Sequence, residues 1–165
     1  MKKYTLFLAL GASLAFYSCE KKDPVKPITH TPNTPPETDT TPKIIYLQAK
    51  SWRLTGLTQG APGSALQADL YKSGFPNCQK DDLYKFNSPD ALVVAPGQNT
   101  CSSGETEKSG TWNLNNNSTF LTITNPSQTM IGMTGNFAVS EITATKMILK
   151  QTVNDSEYTL TFTAQ

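Results

Sequence analysis

From Glu157 to Ala164 the chain alternates without a break: Tyr158, Leu160, Phe162 and Ala164 share one parity, and Glu157, Thr159, Thr161 and Thr163 the other. Successive side chains of a strand leave the backbone on opposite sides, so this pattern has one apolar and one polar face. It predicts a strand half buried against a core. Residues 143–151 read as a second strand with Met147 and Leu149 inward. Asn154-Asp155-Ser156 lies between the two and favours a tight turn, which makes them a hairpin.

The same grammar runs back through the chain. Leu121 and Ile123 share a parity within residues 119–124, as do Gly110, Trp112 and Leu114 one strand earlier. Asn115-Asn116-Asn117-Ser118 separates them, and asparagine tolerates the positive φ that hairpin turns need. Ile131, Met133, Phe137 and Val139 share a parity on one or two strands between 128 and 140, with Gly135-Asn136 marking a turn or bulge. Residues 51–58, 82–86 and 91–95 complete the set, the last two joined through Asn87-Ser88-Pro89-Asp90. Helical periodicity is not evident. The expectation is an all-β domain over residues 44–165, with about eight strands in an up-and-down antiparallel order. Closing that meander into a barrel removes the exposed edges that invite aggregation. A two-sheet sandwich is the structural rival.

The N-terminal part reads differently. Lys2 and Lys3 precede an apolar run over residues 5–16, the order of a signal peptide. The run is shorter than the roughly 18 to 20 residues a membrane-crossing helix needs, so no permanent transmembrane helix is expected. Ser18-Cys19 resembles the junction of bacterial lipoprotein signals, which implies cleavage after residue 18 and a diacylglycerol on Cys19. Phe16 and Tyr17 depart from the leucine and small residue usual there. Residues 20–43 hold six prolines, six threonines and no aromatic residue, a composition that cannot bury a core. With Cys19 they form an expected linker over residues 19–43. In polyproline conformation it would reach on the order of 70 Å from the membrane. Glu20-Lys21-Lys22-Asp23 resembles charged surface-export signals of Bacteroidetes lipoproteins, or is simply a solvated linker start. Asp39-Thr40-Thr41 resembles a Bacteroidetes O-glycosylation pattern, which either marks a glycan on Thr40 or is a chance match to a short motif. The expected location is the outer membrane, lipid-anchored, on its periplasmic face or at the cell surface.

Removal of residues 1–18 takes away two lysines and leaves 12 basic against 13 acidic residues. Nucleic-acid binding needs a concentrated basic surface, and no stretch supplies one. Beyond Cys19 the cysteines are Cys78 and Cys101. An exported chain meets an oxidising compartment, so these two are expected to bond. The bridge would close a 24-residue loop, contributing about 3 kcal/mol in the chain-entropy description. It would tie the long first connection, residues 59–80, to the connection after the third strand.

Trp52-Arg53-Leu54-Thr55, Cys78-Gln79-Lys80-Asp81-Asp82 leading to Tyr84 and Phe86, Cys101, Gly110-Thr111-Trp112-Asn113-Leu114 and Leu121-Thr122-Ile123 stand in that order. The set resembles the lipocalin-like domains of Bacteroidetes lipoproteins, from about residue 44 to the end. The resemblance implies a small barrel with no assigned reaction. Trp52 matches the tryptophan that opens the first strand of lipocalins, although Lys50 replaces the glycine usual two residues earlier.

Catalytic groups are scarce. The single histidine, His30, lies in the linker, which excludes a histidine-based triad in the domain. A zinc site would have no imidazole and would compete with the expected disulfide. Asp81 and Asp82 are adjacent on a strand and point to opposite faces, so they are not a natural acid and base pair. One of them is expected to accept backbone hydrogen bonds at the strand entrance. Calcium ligation by Asp81, Asp82 or Asp90 lacks a loop of regularly spaced oxygen ligands. Gly60, Gly63 and Gly74 lack the lysine and helix of a phosphate loop. No enzyme activity, metal or cofactor is expected.

Trp52, Tyr84, Phe86, Trp112, Phe137, Tyr158 and Phe162 are the candidate interior. An eight-stranded barrel is either filled by such side chains or holds one small ligand. The leading expectation is non-catalytic binding of a small, mostly apolar ligand. The alternative is a surface module with a packed interior that contacts a glycan or a protein partner.

Overall fold

The alternating segments form the strands. The computed structural model describes residues 41–124 and 134–165. The expected signal peptide, Cys19, His30 and Thr40 lie outside the described residues, as do Ile131 and Met133. In chain order the elements are α1 (Lys43–Ala49), β1 (Ser51–Gly60), β2 (Ala68–Asp69), α2 (Leu70–Ser73), a 3₁₀ turn (Asn77–Gln79), β3 (Leu83–Asn87), β4 (Ala91–Ala95), β5 (Lys108–Leu114), β6 (Phe120–Thr124), β7 (Gly135–Ile142), β8 (Lys146–Val153) and β9 (Ser156–Ala164).

From β3 to β9 each strand pairs antiparallel with the next. β9 then pairs along β1 from Trp52↔Ala164 to Gly60↔Glu157, and β1 meets β3 at Ser51↔Lys85 and Trp52↔Tyr84. The result is a closed eight-stranded barrel, with β2 added to the far half of β1 through Thr58↔Asp69 and Gln59↔Ala68. The sandwich alternative is excluded by this closure.

Two irregularities keep the apolar residues inside. The β1–β9 register shifts between Leu54 and Gly56, leaving Thr55 as the extra residue. Trp52 and Leu54 are therefore inward on one side of the bulge and Leu57 on the other, where unbroken alternation would turn Leu57 out. A second shift between Val139 and Glu141 does the same for Phe137 and Ile142. The expected turn or bulge at Gly135-Asn136 is instead the start of β7, paired with Ile123 and Thr122. Asn154 and Asp155 adopt φ of 48° and 59°, forming the tight turn between Val153 and Ser156. In the β5–β6 turn the positive φ belongs to Ser118. Asn115 instead supplies a carboxamide oxygen that accepts from the Thr119 and Phe120 N–H groups at 2.8 and 3.0 Å.

Helix α1 lies where the sequence shows no helical periodicity. It is seven residues long and buries only Leu47, too short to display an amphipathic period. It contacts β3 and β7, and Lys43 Nζ donates to the Ser118 carbonyl at the β5–β6 turn, 3.3 Å away. This helix closes the barrel end at which β1 starts and β9 finishes. At the opposite end, the connection over residues 59–80 is more ordered than its composition suggests. Asp69 caps α2 by accepting from the Lys72 N–H at 3.0 Å, and Phe75 reaches the barrel core.

Candidate binding site

The barrel interior is built by inward parity on every strand. Tyr84 and Phe162 meet edge to face with centroids 5.4 Å apart, and Phe86 and Trp112 do so at 5.7 Å, an arrangement aromatic pairs favour. Trp52 Nε1 donates to the Leu47 carbonyl at 3.0 Å, and Trp112 Nε1 to the Asn87 carbonyl at 2.9 Å. Both indoles thus bury an apolar body while satisfying their one polar group. The structure brings six of the seven candidate residues into one core cluster: Trp52 and Phe162 are 0% exposed, Tyr84, Phe86 and Phe137 1%, and Trp112 3%. Tyr158 is only partly buried and packs against that cluster from the start of β9.

The end opposite α1 is polar. Asp82 shares the inward parity of Tyr84 and is 5% exposed; its Oδ1 accepts from the Gly97 N–H at 3.3 Å. Burial pushes the Asp82 carboxyl above the ordinary carboxylate range, assisted by the negative charge of Glu105 and resisted by the Gly97 N–H and by Lys108. Glu105 pairs with Lys108, and the two side chains are 7% and 19% exposed. The Lys108 ammonium, followed by the Cys101 N–H, holds Glu105 below its usual value. Burial raises the Tyr84 phenol, with Asp82 and Tyr71 adding to the effect, so this hydroxyl stays neutral at ordinary pH.

Asp81 points the other way. Its Oδ2 accepts from the Gln98 N–H at 2.8 Å, the Asn99 N–H at 3.1 Å and Asn99 Nδ2 at 3.1 Å. Desolvation pushes its carboxyl up, but these donors outweigh it and leave the group below the ordinary range. Both aspartates therefore accept backbone hydrogen bonds at the entrance of β3, where one was expected. Gly97 makes this approach feasible: a Cβ there would stand 2.2 Å from Asp81 Cγ. Cys78 and Cys101 are bonded, with Cα atoms 5.0 Å apart, so the disulfide and the two carboxylates staple the same pair of connections.

Glu105, Lys108 and Phe75 were not singled out by the sequence. Glu105 and Lys108 stand three apart next to a loop with no period, and Phe75 is the lone phenylalanine of the long connection. Among the described residues no group of three or more His, Cys, Asp or Glu side chains is arranged to hold a metal ion. Among them, too, no helix is long and apolar enough to cross a membrane.

A family model described as Lipocalin-like domain matches residues 49–149. The chain belongs to the lipocalin-like domain family. The match begins at the end of α1 and stops within β8, yet β9 is the strand that pairs with both β8 and β1. This lipocalin-like barrel therefore runs beyond the matched segment to the C-terminal alternation. No curated protein matches the chain. A lipocalin-like barrel fits a role in binding a small ligand.

Proposed function

We propose that this lipocalin-like protein binds a small, mostly apolar compound without catalysis. The compound would enter at the barrel end opposite α1. The observation that carries this reading is the difference between the two ends. One is plugged by Leu47 and the Trp52 indole. The other presents partly buried Tyr158 beside an apolar interior, with Asp82, Glu105 and Lys108 as polar groups to orient a ligand. Such a mix of an apolar wall and a few placed polar groups is typical of small-molecule sites. Because the aromatics below are packed together, the ligand would gain its space by displacing Tyr158 and neighbouring side chains. Uptake of the neutral probe N-phenyl-1-naphthylamine, followed by energy transfer from Trp52 and Trp112, tests the reading. Saturable uptake that falls severalfold in Tyr158→Arg supports it, and no saturable uptake opposes it.

The proposal includes export and lipid anchoring at Cys19, on an outer membrane of the Bacteroidetes type. Its support is the order of basic residues, apolar run and Ser18-Cys19, followed by a proline- and threonine-rich linker.

The packing of six candidate interior residues at 3% exposure or less favours a second reading, a displayed module that contacts a glycan or a protein through its outer wall. Cross-linking on intact cells distinguishes the two. Reproducible recovery of one partner supports the second reading, and recovery of the protein alone opposes it.

A further inference from the structure

The outer wall carries a cleft where β1 and the β3–β4 ribbon diverge. β1 pairs with β3 only at Ser51 and Trp52, so beyond that point the two strands leave a gap. Arg53, Asp81, Leu83, Pro96, Gly97 and Gln98 line a solvent-open cavity of about 540 Å³ there, within the usual range for small-molecule sites. It is distinct from the barrel interior: Arg53 and Asp81 lie on the opposite parity from Trp52 and Asp82, which face the core.

Two polar atoms under this cleft are unsatisfied. Arg53 Nε and Asp81 Oδ1 are both shielded from solvent and, among the described residues, lack a hydrogen-bond partner. An orphaned donor and an orphaned acceptor in one cleft wall are costly and call for a cause. The rest of Asp81 is firmly held, since Oδ2 takes three donors from Gln98 and Asn99. The disulfide fixes the connections on both sides. The backbone around the site is therefore held in place, and the site offers a positive and a negative side chain that cancel in charge, with Leu83 and Pro96 as apolar wall.

A ligand suited to this wall is neutral, offers donors and acceptors side by side, and has an apolar face. Hydroxyl groups on adjacent carbons meet the first two needs, because each can accept from a guanidinium and donate to a carboxylate. The C–H face of a sugar ring meets the third. We propose that the Arg53–Asp81 cleft is a saccharide-binding site on the outer wall of the barrel. On binding, the two side chains settle onto the sugar and their unpaired atoms gain partners. The site works whether or not the barrel interior holds a ligand.

The test is a titration of the ¹⁵N-labelled full chain with methyl glycosides of glucose, galactose, mannose and N-acetylglucosamine, with triglycine as the peptide comparison. The expected result is saturable shifts of the Gly97, Gln98 and Asn99 amides and of Arg53 Nε–H with at least one glycoside. Affinity should fall about tenfold or more in Arg53→Gln and in Asp81→Asn, and stay unchanged in Tyr158→Ala. Arg53→Gln removes no bond that holds the 97–99 segment, so it remains informative if Asp81→Asn fails to fold. Absence of shifts with every glycoside, shifts with triglycine alone, or unaltered affinity in Arg53→Gln would overturn the proposal.

Discussion

The Trp52 indole N–H donates to the Leu47 carbonyl at 3.0 Å, which ties the helix closing one end of the barrel to the first strand of its wall. Both residues are 0% exposed. Trp52→Phe leaves that carbonyl without its donor and a void beside it, a loss of about 2 kcal/mol. Urea denaturation followed by circular dichroism should show a lower midpoint with an unchanged slope.

The Cys78–Cys101 bond restrains the unfolded chain through a sequence separation of 23 residues. The double variant Cys78→Ser, Cys101→Ser should lose about 3 kcal/mol. Reduction of the wild type should produce the same loss, and the double variant should be indifferent to reductant.

Asp82 and Glu105 are expected to respond to pH in opposite directions. The Asp82 carboxyl is raised by burial, so the folded state binds its proton more tightly than the unfolded chain does. Its contribution is least favourable above the folded value and improves as pH falls toward the unfolded one. Asp82→Asn should therefore be at least as stable as wild type at pH 7 and lose that advantage near pH 4. Glu105 is lowered by Lys108, so its stabilisation is complete above the unfolded value and disappears as pH falls through the folded one. Glu105→Gln should be destabilised at pH 7 and match wild type in acid. Thermal melts between pH 3 and pH 7 read both slopes.

Gly97→Ala would place a Cβ 2.2 Å from Asp81 Cγ, forcing the carboxylate off the Gln98 and Asn99 N–H groups. The expected cost is about 1 to 3 kcal/mol. Amide hydrogen exchange at Gln98 and Asn99 should quicken before any other part of the barrel responds.

The strands were legible because one rule governs them: an apolar side chain every second residue, as in Tyr158 to Ala164 or Leu92 and Val94 on β4. That rule also placed Asp82 on the parity of Tyr84 and Phe86, which is why it is buried. What the rule cannot express was missed. Helix α1 has a single buried residue, Leu47, and a pattern needs at least two. The bulges at Thr55 and Ser140 reverse parity within a strand and depend on partners far away in sequence. Glu105 and Lys108 come together at the start of β5 and after an irregular loop, where spacing carries no signal. The Arg53–Asp81 cleft arises from how far β1 and β3 diverge, a property of closing the barrel and not of either segment alone.

The proposed lipid attachment at Cys19 has a direct test. Cells fed radiolabelled palmitate should label the wild-type chain and leave Cys19→Ala unlabelled, with the variant released from the membrane fraction.

The central claim is that the barrel binds a small apolar compound, and native mass spectrometry of the full chain purified from its own cells tests it most directly. The expected spectrum contains the protein with one additional small mass, which is released on activation and reduced severalfold in Tyr158→Arg. A single apo mass, together with no complex after incubation with N-phenyl-1-naphthylamine, would contradict the claim and leave the outer wall as the functional surface.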